Sequence, residues 1–222
     1  GTTVLWLMNG ASILSGKLLG IVPASWSIAG TADFNGDGKG DILWRNSNGT
    51  TVMWLMNGSS VLSQGSLGIV PTSWSIAGTT DFNGDGKGDI LWRHSSGITV
   101  VWLMNGTSVL SQGSLGAVPV SWSIAGLSDF NGDGKGDVLW RNTNGTTVLW
   151  VMNGSSVLSQ GSLGVVPTGW TVIDTTDFNG DGKGDILWRH SSGVMAMWLM
   201  NGATIQSQGS PGAVPTSWSI PQ

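Results

Sequence analysis

Four stretches of this chain repeat one arrangement of oxygen donors, and in the first of them Asp33, Asn35, Asp37, Lys39 and Asp41 stand at alternate positions of the segment DFNGDGKGD. Donors at positions 1, 3, 5, 7 and 9 of a curled loop suit a hard cation, because calcium takes about six to eight oxygens and tolerates irregular geometry. Lys39 enters the set through its backbone carbonyl. The same set recurs as Asp81, Asn83, Asp85, Lys87 and Asp89; as Asp129, Asn131, Asp133, Lys135 and Asp137; and as Asp177, Asn179, Asp181, Lys183 and Asp185. Gly36, Gly38 and Gly40 fill the intervening places, where tight curvature calls for φ values that other residues resist. Without a cation, three carboxylates held this close repel one another. The ending differs from an EF-hand, since Trp44, Trp92, Trp140 and Trp188 stand where a bidentate Glu belongs. The expectation is one calcium ion per loop, four per chain, with oxygen-only coordination.

All 13 acidic residues are Asp, and only Asp174 lies outside the loops. That leaves no pair of free carboxylates for acid/base hydrolysis and no uncommitted acid to orient a histidine, so no catalytic residue is assigned and no enzyme is expected. His94 and His190 stand where the other units carry Asn46 and Asn142, and read as turn residues. The formal net charge of −4 comes without a basic stripe, which argues against nucleic acid as a partner. No hydrophobic run approaches the length of a membrane span, so no membrane insertion is expected.

The elements that must position these loops follow from a 48-residue period, which also sets every Trp of the chain into three columns, headed by Trp6, Trp26 and Trp44. In the second unit, Gly-containing turns separate four strand-like runs, near Trp74–Thr80, Ile90–Arg93, Thr99–Met104 and Ser108–Ser111. Asn105-Gly106 is a two-residue hairpin signal, while the segment GSLGAVPVS has no hairpin chemistry and reads as a linker to the next unit. Val52, Trp54 and Met56 alternate with Met53 and Leu55, so both faces of the third strand are apolar and both must be covered. Stacked four-stranded antiparallel meanders meet that demand as blades of an all-β propeller. The units run approximately 1–30 (partial), 31–78, 79–126, 127–174 and 175–222, read as one domain over 1–222. Five blades are expected, the last assembled from both chain ends; a fragment of a larger propeller or an open β-repeat array are the alternatives. The Trp columns read as packing between blades, and Arg45, Arg93, Arg141 and Arg189 as stacking on Trp or pairing with loop carboxylates.

The stretch DFNGDGKGDILWR, with WSIAG before it and WLMNG after it, resembles the FG-GAP and VCBS type repeats of bacterial secreted and surface propellers, which are similar in turn to the calcium loops of integrin α-chain propellers. The resemblance implies a propeller fold, calcium between the first two strands of each blade, and a role in adhesion or ligand binding. A secreted or cell-surface, non-catalytic recognition module is the function expected from it, with glycans or a cell-surface protein as partner and carbohydrate as the ligand class. The alternative is a structural, self-assembling repeat protein whose incomplete blade is filled by a neighbouring chain.

Overall fold

A computed structural model describes residues 1–218, and the regular elements among them are all strands. The chain opens with a two-stranded antiparallel sheet of β1 (Thr2–Asn9) and β2 (Ser12–Ile21). The first four-stranded sheet comprises β3 (Trp26–Ala32), β4 (Asp41–Asn46), β5 (Thr50–Asn57) and β6 (Ser60–Ile69). The second holds β7 (Trp74–Thr80), β8 (Asp89–His94), β9 (Ile98–Asn105) and β10 (Ser108–Ala117). β11 (Trp122–Ser128), β12 (Asp137–Asn142), β13 (Thr146–Asn153) and β14 (Ser156–Val165) make the third, and β15 (Trp170–Asp174), β16 (Ile186–His190), β17 (Val194–Asn201) and β18 (Thr204–Ala213) the fourth. Within each sheet the strands lie in chain order, the up-and-down meander of a propeller blade. The fold is therefore an all-β propeller, with four four-stranded blades and one two-stranded partial blade among the described residues. The closing strand expected at the C-terminus runs past Trp218, outside the described residues. Two compact units appear within the chain, Gly1–Thr79 with Asp85–Gly113, and Thr80–Gly84 with Ser114–Gln222.

The outer strand is longer than the turn chemistry suggests. β10 runs to Ala117, so most of the expected linker is paired, and only the four residues before Trp122 carry the chain onward. Bulges explain the difference. Where β5 meets β6 the register slips between Thr51 and Val52 and again between Leu55 and Met56, and such bulges let one strand carry extra residues and bend while the ladder continues.

The third strands β5, β9 and β13 are buried on one face and largely half-buried on the other, as their apolar alternation demands. In the first unit Leu43, Met53 and Leu55 of one blade pack with Ile90, Trp92 and Met104 of the next, and Phe34 of the intervening loop joins them. In the second unit Leu139 and Leu149 meet Ile186, Trp188 and Met200, with Phe130 in the same place. Each such side chain stabilises by roughly 1.5 to 3 kcal/mol when fully buried. Close approach needs glycine at Gly65, where a Cβ would stand 2.5 Å from Thr107 Cβ in the next blade.

Arginine binds consecutive blades together, partly by the Trp stacking read from the sequence and partly through backbone carbonyls that sequence reasoning did not single out. Arg45 does not pair with loop carboxylates; its guanidinium donates to the carbonyls of Val70 (3.1 Å), Pro71 (3.2 Å) and Trp74 (2.8 Å) and lies 4.9 Å from the ring centroid of Trp92. It thus stacks on the Trp of the following blade. Arg141 does the same with Val166, Pro167, Trp170 and the ring of Trp188. Burial lowers the pKa of both guanidiniums, which stay charged at any ordinary pH.

Candidate metal-binding loops

Each loop leaves the first strand of its blade and returns as the second, and its curl is organised around the first aspartate. Asp33 Oδ1 accepts the N–H groups of Asn35 (3.3 Å), Gly36 (2.7 Å) and Asp37 (3.2 Å), while Oδ2 accepts that of Gly38 at 2.6 Å. A chain that aims four successive amides at one carboxylate must turn sharply, and Gly36 and Gly38 have φ of 76° and 79°. Asp129 and Asp177 are held alike, and the amides of Gly182, Gly180 and their neighbours keep the Asp177 carboxyl below the usual range. At the rim, Lys39 Nζ lies 3.3 Å from Asp37 Oδ2 and Lys87 Nζ 3.6 Å from Asp85 Oδ2.

The fifth donor of each set has a second role that the spacing concealed. Asp41, Asp89, Asp137 and Asp185 are fully buried. Asp137 Oδ2 accepts the N–H of Phe130 at 3.0 Å and Oδ1 that of Met152 at 2.9 Å, tying the loop's second residue to the third strand. Asp41 holds Phe34 and Met56, and Asp185 holds Phe178 and Met200, in the same way. Burial pushes the Asp137 carboxyl up to about 7, against the two amides that favour its ionised form. A signal for this role was present in the sequence, since each of these Asp residues opens an apolar run, ILW or VLW, that forms the second strand of its blade. In the presence of chelator, Asp137→Asn is expected to cost about 1 to 3 kcal/mol in urea unfolding, because its NH₂ group must face one of two buried donors. Stability unchanged within error would remove this anchor from the account.

Consecutive loops are joined by backbone hydrogen bonds. In the first unit Gly88 N–H donates to Asp33 O at 2.6 Å and Gly106 N–H to Phe34 O at 2.8 Å. In the second, Gly136 reaches Asp81 O, Gly184 reaches Asp129 O, and Gly154 and Gly202 reach the carbonyls of Phe82 and Phe130. Phe34, Phe82 and Phe130 are fully buried, whereas Phe178 of the fourth loop is 41% exposed.

Among the described residues no three acidic or histidine side chains converge on one point. A cation here would take the Asn35 amide oxygen and the Lys39 carbonyl together with the loop carboxylates, and that all-oxygen donor set fits a hard ion. His94 and His190 sit at turns, where Nδ1 of His94 accepts the Ser96 N–H at 3.1 Å and its ring lies 5.0 Å from Trp74. Neither histidine contacts a loop carboxylate in any hydrogen bond found among the described residues.

Solved structures that resemble this chain include BBS1N in complex with ARL6DN, soaked with mercury, at 9% identity, a TM-score of 0.52, and coverage of 96% of this chain and 63% of that one. The same complex soaked with lead gives 9% identity, 96% and 63% coverage and a TM-score of 0.53. The C-terminal WD40 domain of Sif2 gives 14%, 92% and 64%, and 0.45. The chain thus spans less than two thirds of the length of these structures, and the BBS1N likeness bears on fold alone. No curated protein sequence matches it. The FG-GAP-like repeat matches residues 33–92 and 129–188, each stretch running from the first aspartate of one loop, through the anchoring aspartate of the next, to the buried Trp beyond it. With more than half its length so matched, the chain belongs to the FG-GAP-like repeat family.

Proposed function

We propose that this chain is a calcium-stabilised, non-catalytic recognition module that acts outside the cell and binds carbohydrate. The observation that carries the reading is the fourfold recurrence of one oxygen-donor loop at the same place in four blades. A bound divalent ion would neutralise the carboxylates gathered there and fix the turn between the first two strands. The acidic residues of the loops are engaged by backbone amides and the histidines by their own turns, which supports a scaffold in preference to an acid/base centre. Screening the intact protein on immobilised glycans, with calcium and then with chelator, tests the proposal. Saturable retention that fades in chelator is the expected result, and equal or absent retention across the whole panel would rule out carbohydrate recognition.

A second reading, self-association, is favoured by the partial blade. Trp6 and Met8 of β1 are 61% and 52% exposed, while Met56, the equivalent of Met8 in the first complete blade, is 1% exposed. A second copy covering β1 and β2 would remove that apolar surface from water. Solution mass that rises with protein concentration supports this reading, and a monomer mass at all concentrations refutes it.

A further inference from the structure

Between each of the first three four-stranded blades and the tail of the strand before it lies a cleft that the loops do not use. In the first, Trp26, Trp44 and Trp54 face the segment Leu19–Pro23, with Gln64 at the edge. Its counterparts hold Trp74, Trp92, Trp102 and Gln112, and Trp122, Trp140, Trp150 and Gln160, each set displaced by the 48-residue repeat. The three cavities have volumes of about 280, 360 and 390 Å³, near the lower end for small-molecule sites.

The three tryptophans of a cleft are not equivalent. Trp44 and Trp92 are buried and belong to the core, whereas Trp26, Trp54, Trp74 and Trp102 are half-buried and present part of an indole to the opening. Gln64 is exposed and sits directly across the β5–β6 ladder from Trp54, as Gln160 does from Trp150. A planar amide is thus placed beside an aromatic face. None of the three linings contains a charged side chain. An anion would find no counter-charge there, and a cation would meet ring faces without a carboxylate. A neutral ring with an apolar C–H face and outward hydroxyls matches both halves of the surface, and the volume admits one such ring. Arg45 holds one wall of the second cleft in place through the carbonyls of Val70 and Pro71.

We infer that these clefts are equivalent binding sites for single neutral pyranose residues, stacked on the half-buried Trp and hydrogen-bonded by Gln64, Gln112 or Gln160. The inference rests on the carbohydrate reading above and locates it. Repetition would give a weak site strength on a repetitive glycan through multivalency.

The test follows indole N–H resonances of the full chain during titration with methyl pyranosides of glucose, galactose, mannose and fucose, with tetramethylammonium chloride as a separate arm. Saturable shifts of the half-buried Trp signals by at least one pyranoside are expected. The combined Gln64→Ala, Gln112→Ala and Gln160→Ala variant, altered only at exposed positions, should keep its melting temperature and bind that pyranoside about tenfold more weakly, the worth of one hydrogen bond. Pyranoside binding unchanged in the variant would overturn the site while leaving carbohydrate recognition intact. Shifts with tetramethylammonium alone would overturn the sugar assignment in favour of a cation. Indole signals that no probe moves would make the clefts packing gaps, even if the glycan screen is positive.

Discussion

Excess chelator is expected to lower the melting temperature by about 20 °C or more relative to the same protein in excess calcium. An ion that binds the folded loop and not the unfolded chain stabilises by RT ln(1 + [L]/Kd), about 2.7 kcal/mol per site at a hundredfold excess over Kd. Four independent sites would contribute about 11 kcal/mol, comparable to the whole stability of an ordinary domain. For a chain of this length about 1 kcal/mol shifts melting by roughly 2 to 4 °C, which sets the size of the effect. Superimposable melting curves in chelator and calcium would show that the loops are not structural metal sites.

The loop-to-loop hydrogen bonds refine that expectation. Asp133→Ala strips a donor from a loop whose Asp129 carbonyl is bonded to Gly184 and whose Gly136 is bonded to Asp81. Its effect should therefore exceed the share of one independent site, since loosening one loop removes a support from its neighbours. The fourth loop, with Phe178 part-exposed, should release its ion first as chelator is added. Metal analysis along the same titration measures both. A loss equal to one independent share, with all ions released together, would mean that the links do not couple the sites.

Replacing Trp92 by Ala should cost about 3 to 5 kcal/mol, the range for a large aromatic removed from a packed core. Trp92 is 1% exposed, packs with its ring centroid 5.1 Å from that of Trp102, and carries the guanidinium of Arg45 on its face. Truncation therefore empties a cavity and also leaves a half-buried cation without its aromatic partner. Trp92→Phe should cost much less. It keeps a ring in place and discards an indole N–H that makes no hydrogen bond in the buried site. Urea unfolding of both variants gives the comparison. Equal losses would assign the cost to the indole shape itself, and a loss under about 1 kcal/mol for Ala would show that the column does not carry the core.

The sequence by itself determined the repeat, the strand count per blade and the place of the Asp/Gly loops between the first two strands, because those depend on local chemistry. Asn105-Gly106 dictates its hairpin, β-branched and aromatic runs dictate strands, and the double-sided apolarity of Val52 to Met56 requires a neighbour on each face. The matched family and the observed meanders agree with that reading. What only the tertiary structure decided depends on groups far apart in the chain. Asp41 reads in the sequence as the fifth oxygen donor of its loop, and the structure sets its two oxygens on the buried amides of Phe34 and Met56. Arg45 finds its partners in carbonyls and a ring of the following blade, at sequence distances that no spacing rule encodes. The three Trp columns are alike in type and period, yet the Trp44 column is buried while Trp26 and Trp54 stay half-open beside an exposed Gln64. Residue type fixes what a side chain prefers; which of several identical side chains obtains that environment is set by the packing of one blade against the next.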